Sequence, residues 1–386
     1  MSAVLSKPSL LRRMRPLFAG FDVPLLLAMF WLMALGLLCM YSAGYDHGTR
    51  FVDHARNMLL ALGVMFVVAQ APPQKVARLA VPLYVFGVAL LIAVALFGIS
   101  KKGATRWLNI GVTQIQPSEL LKIAVPLMLA WWFQKREGQL RLPDFVAAFI
   151  LLAIPVGLVA KQPDLGTSIL VLAAGLYVIF FAGLSWKLIV PAVVAGALAI
   201  TALVMSEDAI CQPEVKWPVL REYQKNRVCT LLDPSKDPLG KGFHIIQGEI
   251  AIGSGGVTGK GFMKGTQTHL EFIPERTTDF VFAAYGEEFG LIGALGLLIG
   301  FTALILRGLV IASEAPTMFS RLLAGAITLS FFTYVFVNMG MVSGILPVVG
   351  VPLPFISYGG TAMVMLGISL GLLMGIGRSR RASHHS

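Results

Sequence analysis

Within this 386-residue chain, four side chains stand where they could do chemistry: Glu119 and Lys122, three residues apart after Pro117; Asp164, after Pro163; and Asp279, after Thr277 and Thr278. Residues i and i+3 share a helix face, so Glu119 and Lys122 can pair. A carboxylate at such a place can take a proton, and a lysine can stabilise a departing anion. Each also has a plainer account. Glu119 can simply stabilise a helix N-terminus beside a lysine, and Asp164 and Asp279 can be ordinary capping residues. Glu287 and Glu288 follow about two turns after Asp279; at 100° per residue they are turned about 80° and about 180° from it, so at most one shares its face. Both read as structural. The stretch GSGGVTGKG at 253–261 fails as a phosphate loop, because Ser254 stands where glycine is needed and Gly261 where Ser or Thr is needed. It reads as flexible turns, and His269 with Glu271 reads as a loop pair and not a metal site.

The elements that must hold these residues are membrane spans. The chain is 56% hydrophobic and 13% charged, against about 25% charged in a soluble domain. Apolar runs lie near 23–43, 57–71, 79–98, 118–133, 145–160, 165–184, 187–205, 280–306, 321–342 and 360–377. At about 20 residues per spanning helix, they describe an all-α, polytopic membrane protein of about ten transmembrane helices. The first run outlasts the apolar core of about 7 to 15 residues in a signal peptide, so it is a retained span. The net charge is +11, but the basic residues form short clusters without interleaved aromatics, which argues against nucleic acid and for a membrane surface. Three cysteines exclude a disulfide scaffold and a four-cysteine metal site.

Lysine and arginine in short loops mark the cytoplasmic side. With the N-terminus inside, fifteen fall in inner segments and six in short outer loops, and an even number of spans returns the basic C-terminus to the same side. The expected organisation is a cytoplasmic tail at 1–22, helices one to seven over 23–206, a large periplasmic loop at 207–278, helices eight to ten over 279–377 and a cytoplasmic tail at 378–386. The loop holds nine basic and nine acidic residues, and reads as a neutral folded cap. Its run FHIIQGEIAIG, with Phe243, Ile246 and Ile250 at helical spacing, predicts an interfacial helix on the outer surface. Cys211 and Cys229 both fall here, on the oxidising side, as a disulfide or as two independent thiols; Cys39 reads as packing. In this topology Glu119, Lys122, Asp164 and Asp279 all lie at outer helix ends, whereas capping alone would scatter them over both faces.

The stretch from Asn338 to Ala362, with Gly344, Pro347, Gly350, Pro354, Ser357, Gly359 and Gly360, resembles the signature of the SEDS family (shape, elongation, division and sporulation proteins). So do QPSELLK at 116–122, QPDLGTS at 162–168 and EFIPERTTDFVFAAYGEEFG at 271–290. KKGATRWLNIG, HIIQGEIAIGSGG and PERTTDF are closer to the elongation branch than to the division branch. Thr277 departs from it, since that branch often has histidine before Thr-Asp-Phe, and the loop carries an insertion around 207–220.

The resemblance implies a peptidoglycan glycosyltransferase of the bacterial inner membrane that polymerises lipid II at the outer leaflet. It implies work beside a class B penicillin-binding protein and elongation-complex proteins such as MreC and MreD. Asp279 matches the family's essential aspartate, and Glu119, Lys122 and Asp164 match other functional positions. Inversion at an α-linked sugar diphosphate needs one base and a cation for the leaving group. Asp279 is then the expected base, and Lys122, Arg106 and Arg276 are the candidate cations. A divalent cation bridging diphosphate and carboxylate would serve equally. The alternatives are a lipid II flippase or a division-type polymerase; transport predicts polar groups spread through the bilayer depth, whereas these gather at one lip.

Overall fold

The computed structural model describes residues 21–101, 104–109, 114–212, 214–215, 217, 222–236, 240–273 and 275–383. Most of the expected N-terminal tail and parts of the large loop lie outside these residues. The first seven long helices are α1 (Val23–Ala43), α2 (Arg50–Val68), α4 (Ala80–Phe97), α5 (Pro117–Gln134), α6 (Leu142–Lys161), α7 (Leu165–Phe181) and α8 (Trp186–Met205), with a short α3 (Pro73–Arg78) between α2 and α4. The large loop contains α9 (Glu207–Ile210), α10 (Glu222–Leu232), α11 (Lys241–Gly255) and α12 (Thr266–His269). Helices α13 (Val281–Ser313), α14 (Met318–Val342) and α15 (Gly360–Ser383) complete the bundle.

Among the described residues, ten long helices therefore match the ten apolar runs. Eight of them are long and apolar enough to cross a bilayer; α7 has 17 residues, and α5 carries the Glu119–Lys122 pair. Local chemistry sets the starts. Asp22, Asp164, Ser185 and Thr317 each accept an amide hydrogen bond in the first turn of α1, α7, α8 and α14, and prolines sit in the first turn of α1, α3, α5 and α6, where no amide partner is lost.

Between α4 and α5 the chain forms a small antiparallel sheet of β1 (Ile99–Lys101), β2 (Ala104–Asn109) and β3 (Gln114–Ile115). Helical periodicity did not foretell it. Across β1 and β2, Ser100 pairs with Thr105 and Lys101 with Ala104. The sheet places Arg106 beside the start of α7.

Helices α5 and α14 lie deepest. Phe133, Leu121, Ala324 and Met341 are enclosed there, whereas α8 buries none of its residues. The run read as an interfacial helix does fold, as α11, but another stripe is packed. Gly242, Ile245, Gly248 and Ala251, three residues apart, turn inward, while Ile250 is exposed. Gly248 meets Phe280 and the Val342 carbonyl, so α11 leans on the ends of α13 and α14. The structure joins Cys211 and Cys229 in a disulfide. Beside it, the Lys225 ammonium donates to the carbonyls of Gln212 (2.7 Å) and Val215 (2.6 Å).

Helix α13 is broken at Gly290, whose φ of 61° is left-handed. In an unbroken helix the amides of Leu291 and Ile292 would donate to the carbonyls of Glu287 and Glu288. Here the glycine-rich stretch takes all four groups. The amides of Lys260 and Gly261 donate to those two carbonyls at 3.0 Å each, and the amides of Leu291 and Ile292 donate to the carbonyls of Gly256 (2.9 Å) and Val257 (3.1 Å). The segment read as flexible turns is thus a backbone insert in a broken helix. Close approach requires its glycines, since a Cβ on Gly259 would lie 2.0 Å from the Glu288 carbonyl oxygen.

Candidate active site

Asp279 closes the turn 275–280 immediately before α13, and its side chain is half-buried. Three consecutive carbonyls of that turn are held by the segment 338–358. The Tyr358 amide donates to the Thr277 carbonyl (2.8 Å), the Ser357 hydroxyl to that of Thr278 (2.7 Å), and the Asn338 amide nitrogen to that of Asp279 (3.0 Å). Asn338 also donates to the Val351 carbonyl (2.7 Å), which ties the loop between α14 and α15 to the same point. At Gly350, with φ 73°, a Cβ would stand 3.2 Å from an Asp279 carboxylate oxygen. The loop runs from there to Gly166, in the first turn of α7, where a Cβ would come within 2.6 Å of the Val349 carbonyl oxygen. The signature loop is therefore the physical link between Asp279 and the end of α7.

That end of α7 carries Asp164, which is 5% exposed. Its carboxylate accepts from the Thr167 amide (3.2 Å) and from Gln116 (2.9 Å), and the Arg106 guanidinium lies 3.8 Å away. Arg106 also donates to the carbonyls of Pro163 (2.5 Å) and Gln162 (3.4 Å). Asp164 is thus both a cap and the anchor of an ionic cluster. About one turn into α5, Lys122 and Glu119 form an ion pair at 2.7 Å, both largely enclosed, with the ammonium 5.2 Å from the centre of the Tyr334 ring. Lys122, Tyr334, Ser330 and Ser369 line a cavity of about 20 Å³, room for a single water.

Arg276 is placed elsewhere. Buried at 3% exposure, it donates to the Ala43 carbonyl (3.0 Å), pairs with Asp46 and lies over the Tyr45 ring. It clamps the Asp279 turn to the end of α1. Burial pushes the Asp46 carboxyl up, but the Arg276 and His47 hydrogen bonds and the Arg276 charge outweigh this and hold it well below the usual carboxylate range. A depressed carboxylate contributes stability in full above its unfolded value of about 3.9 and loses it only as pH falls through the lowered folded value. In a His47→Ala background, which removes the neighbouring imidazole that itself changes charge in this range, the drop in thermal midpoint caused by Asp46→Asn is therefore expected to be flat from about pH 5 to about pH 8; a drop that varies across this range would contradict the clamp.

Among the described residues no group of three or more His, Cys, Asp or Glu side chains converges as a metal site. Sequence reasoning missed Gln116, Tyr334, Asn338 and Ser357 as individuals, although Asn338 and Ser357 lie inside the signature stretch. Asn338→Leu removes two hydrogen bonds that hold buried carbonyls, each worth about 1 kcal/mol with a larger cost when a partner is stranded. A loss of about 2–4 kcal/mol is expected in denaturant unfolding, and an unchanged stability would show that the turn is held by other means.

Fold and site together define a polytopic helical membrane protein with a half-open aspartate above a buried ionic cluster. The chain belongs to the FtsW/RodA/SpoVE family of cell cycle proteins, which it matches over residues 23–382. It is 48% identical over 361 residues to the peptidoglycan glycosyltransferase MrdB of Escherichia coli strain K12, covering 93% of this chain and 94% of that protein. It is 30% identical over 422 residues to the peptidoglycan glycosyltransferase RodA of Treponema pallidum, covering 93% and 98%. Among solved structures, a chain of a peptidoglycan synthase complex that coordinates polymerization and crosslinking superposes with a TM-score of 0.78 at 30% identity, covering 94% of this chain and 99% of that one. The rod shape determining protein RodA of Thermus thermophilus superposes at 0.69 with 28% identity, covering 94% and 98%.

Proposed function

We infer that the chain is a peptidoglycan glycosyltransferase that polymerises lipid II during cell elongation. The observation that carries this reading is Asp279: a half-open carboxylate whose turn is fixed by three hydrogen bonds from the signature segment, in a chain whose relatives are named for this activity. Lipid II is an α-linked sugar diphosphate and the polymer linkage is β, so one displacement inverts the anomeric carbon. The acceptor hydroxyl attacks, Asp279 takes its proton, and the diphosphate leaves with the bonding electrons. The backbone hydrogen bonds hold the carboxylate in place before substrate arrives, which is where positioned groups gain their advantage.

Arg106 and Lys122 are the cations offered to the diphosphate. Arg106 is the more accessible, with its side chain 29% exposed against 8% for Lys122. Glu119 and Asp164 hold these two cations, and Arg276 serves as a clamp through Asp46. In this reading the protein lies in the inner membrane with both termini cytoplasmic and Asp279 facing the periplasm. A class B penicillin-binding protein crosslinks the product, with MreC and MreD as further neighbours. Purified chain incubated with lipid II, with and without its crosslinking partner, should yield glycan polymer. Translocation of labelled lipid II across vesicles without any polymer would overturn the reading.

A further inference from the structure

Two acidic residues in α13 have no part in the proposed chemistry, yet Glu287 is fully enclosed and Glu288 is 3% exposed. Glu287 accepts five hydrogen bonds from one short stretch: Lys260 Nζ (2.7 Å), Thr266 Oγ1 (3.1 Å), the Gln267 amide (2.8 Å), and the Thr268 amide (3.0 Å) and hydroxyl (2.9 Å). Glu288 accepts from Ser42 of α1 at 2.5 Å. The two carboxylates tie the loop 256–268 to α13 from one side and α13 to α1 from the other. Between them the loop backbone fills the break at Gly290. The helical segment 281–289, which begins two residues after Asp279, thereby has its carbonyls at Glu287 and Glu288 bonded to the loop and not to the rest of α13.

We propose that Glu287 is a positioning residue for Asp279: by docking Lys260 and the 266–268 turn it seats the glycine-rich insert in the helix break and so sets the orientation of the segment that begins at the aspartate. This rests on the reading of Asp279 as the base. A continuous helix would couple that segment rigidly to the membrane-embedded half of α13. The break transfers control to the large loop, so that whatever loads or releases the loop moves the aspartate. Ordinary packing would need neither a fully enclosed carboxylate with five donors nor a ladder of four intersegment backbone bonds.

The full-length protein in lipid nanodiscs would be compared with Glu287→Gln, Lys260→Met, Lys260→Arg and Asp279→Ala, with lipid II as substrate and amide hydrogen exchange as a second readout. For Glu287→Gln and Lys260→Met, faster exchange is expected at the amides of Lys260, Gly261, Leu291 and Ile292. A fall in kcat of up to about a hundredfold should accompany it, the size produced by about 1 Å of misplacement, with KM changed less than about threefold. Lys260→Arg keeps the cation and should restore both readouts. Faster exchange with unchanged kcat, or a loss confined to KM, would overturn the proposal. Lys260 is partly exposed, so Lys260→Met remains informative if Glu287→Gln fails to fold. An active Asp279→Ala would sink the reading of the base, whereas an inactive Asp279→Ala beside a fully active Glu287→Gln would sink the latch alone.

Discussion

Asp279→Asn should lower lipid II polymerisation by about 10²- to 10⁴-fold, the range that a positioned general base supplies, with the fold intact. The amide is nearly isosteric with the carboxylate, and the three backbone carbonyls of the turn, that of Asp279 among them, keep their hydrogen bonds in the variant. Stability should therefore change little while the rate collapses, and KM should move less than kcat because the acceptor's proton is transferred only in the transition state. Glycan length and rate on gels, read beside a thermal melt of the same sample, would check both halves. A mutant that polymerises at near-normal rate would remove Asp279 from the chemistry. One that unfolds would make it a structural residue.

The reasons some features were legible in the sequence and others were not are physical. A spanning helix must be apolar over its whole length, so the long helices were visible as local hydrophobic density, eight of those described being long and apolar enough to cross a bilayer. The Glu119–Lys122 pair was visible because its partners are three residues apart on one helix. Asp279 stood out by type and position, but its supports did not. Asn338 reaches it from 59 residues away, and Ser357 reaches the neighbouring carbonyl from 79. No local periodicity records such contacts. Arg276 shows the same limit, since its contacts to Ala43 and Asp46 reach more than 200 residues upstream.

The broken helix was hidden for a different reason. Two carboxylates precede Gly290, but the apolar run resumes beyond them, and the groups freed at the break are taken up by backbone of a distant loop, which hydropathy does not record. The insert that compensates it reads as turns, because glycine reports conformational permission and says nothing of the partner. The fate of Glu287 and Glu288 follows from the same fact: a carboxylate deep in an apolar run must be satisfied by something, and here the satisfying group is a loop from across a turn.

The Glu119–Lys122 pair permits a prediction in which two changes hurt less than one. Lys122→Met deletes the ion-pair partner of Glu119 and leaves an enclosed carboxylate, 9% exposed in its side chain. Breaking a buried pair from one side costs about 3–5 kcal/mol, because the survivor keeps its desolvation penalty and loses its counter-ion. Replacing both members by neutral groups of similar volume removes the penalty with the attraction, and is often neutral or better. Glu119→Gln with Lys122→Met should therefore be more stable than Lys122→Met alone by about 2–4 kcal/mol, measured by denaturant unfolding in mild detergent. Activity separates the pair's two duties. If Lys122 only balances Glu119, the double mutant recovers polymerisation along with stability. If the ammonium also meets the diphosphate, as proposed for Lys122, the double mutant folds well and stays slow, and this second outcome is the one expected.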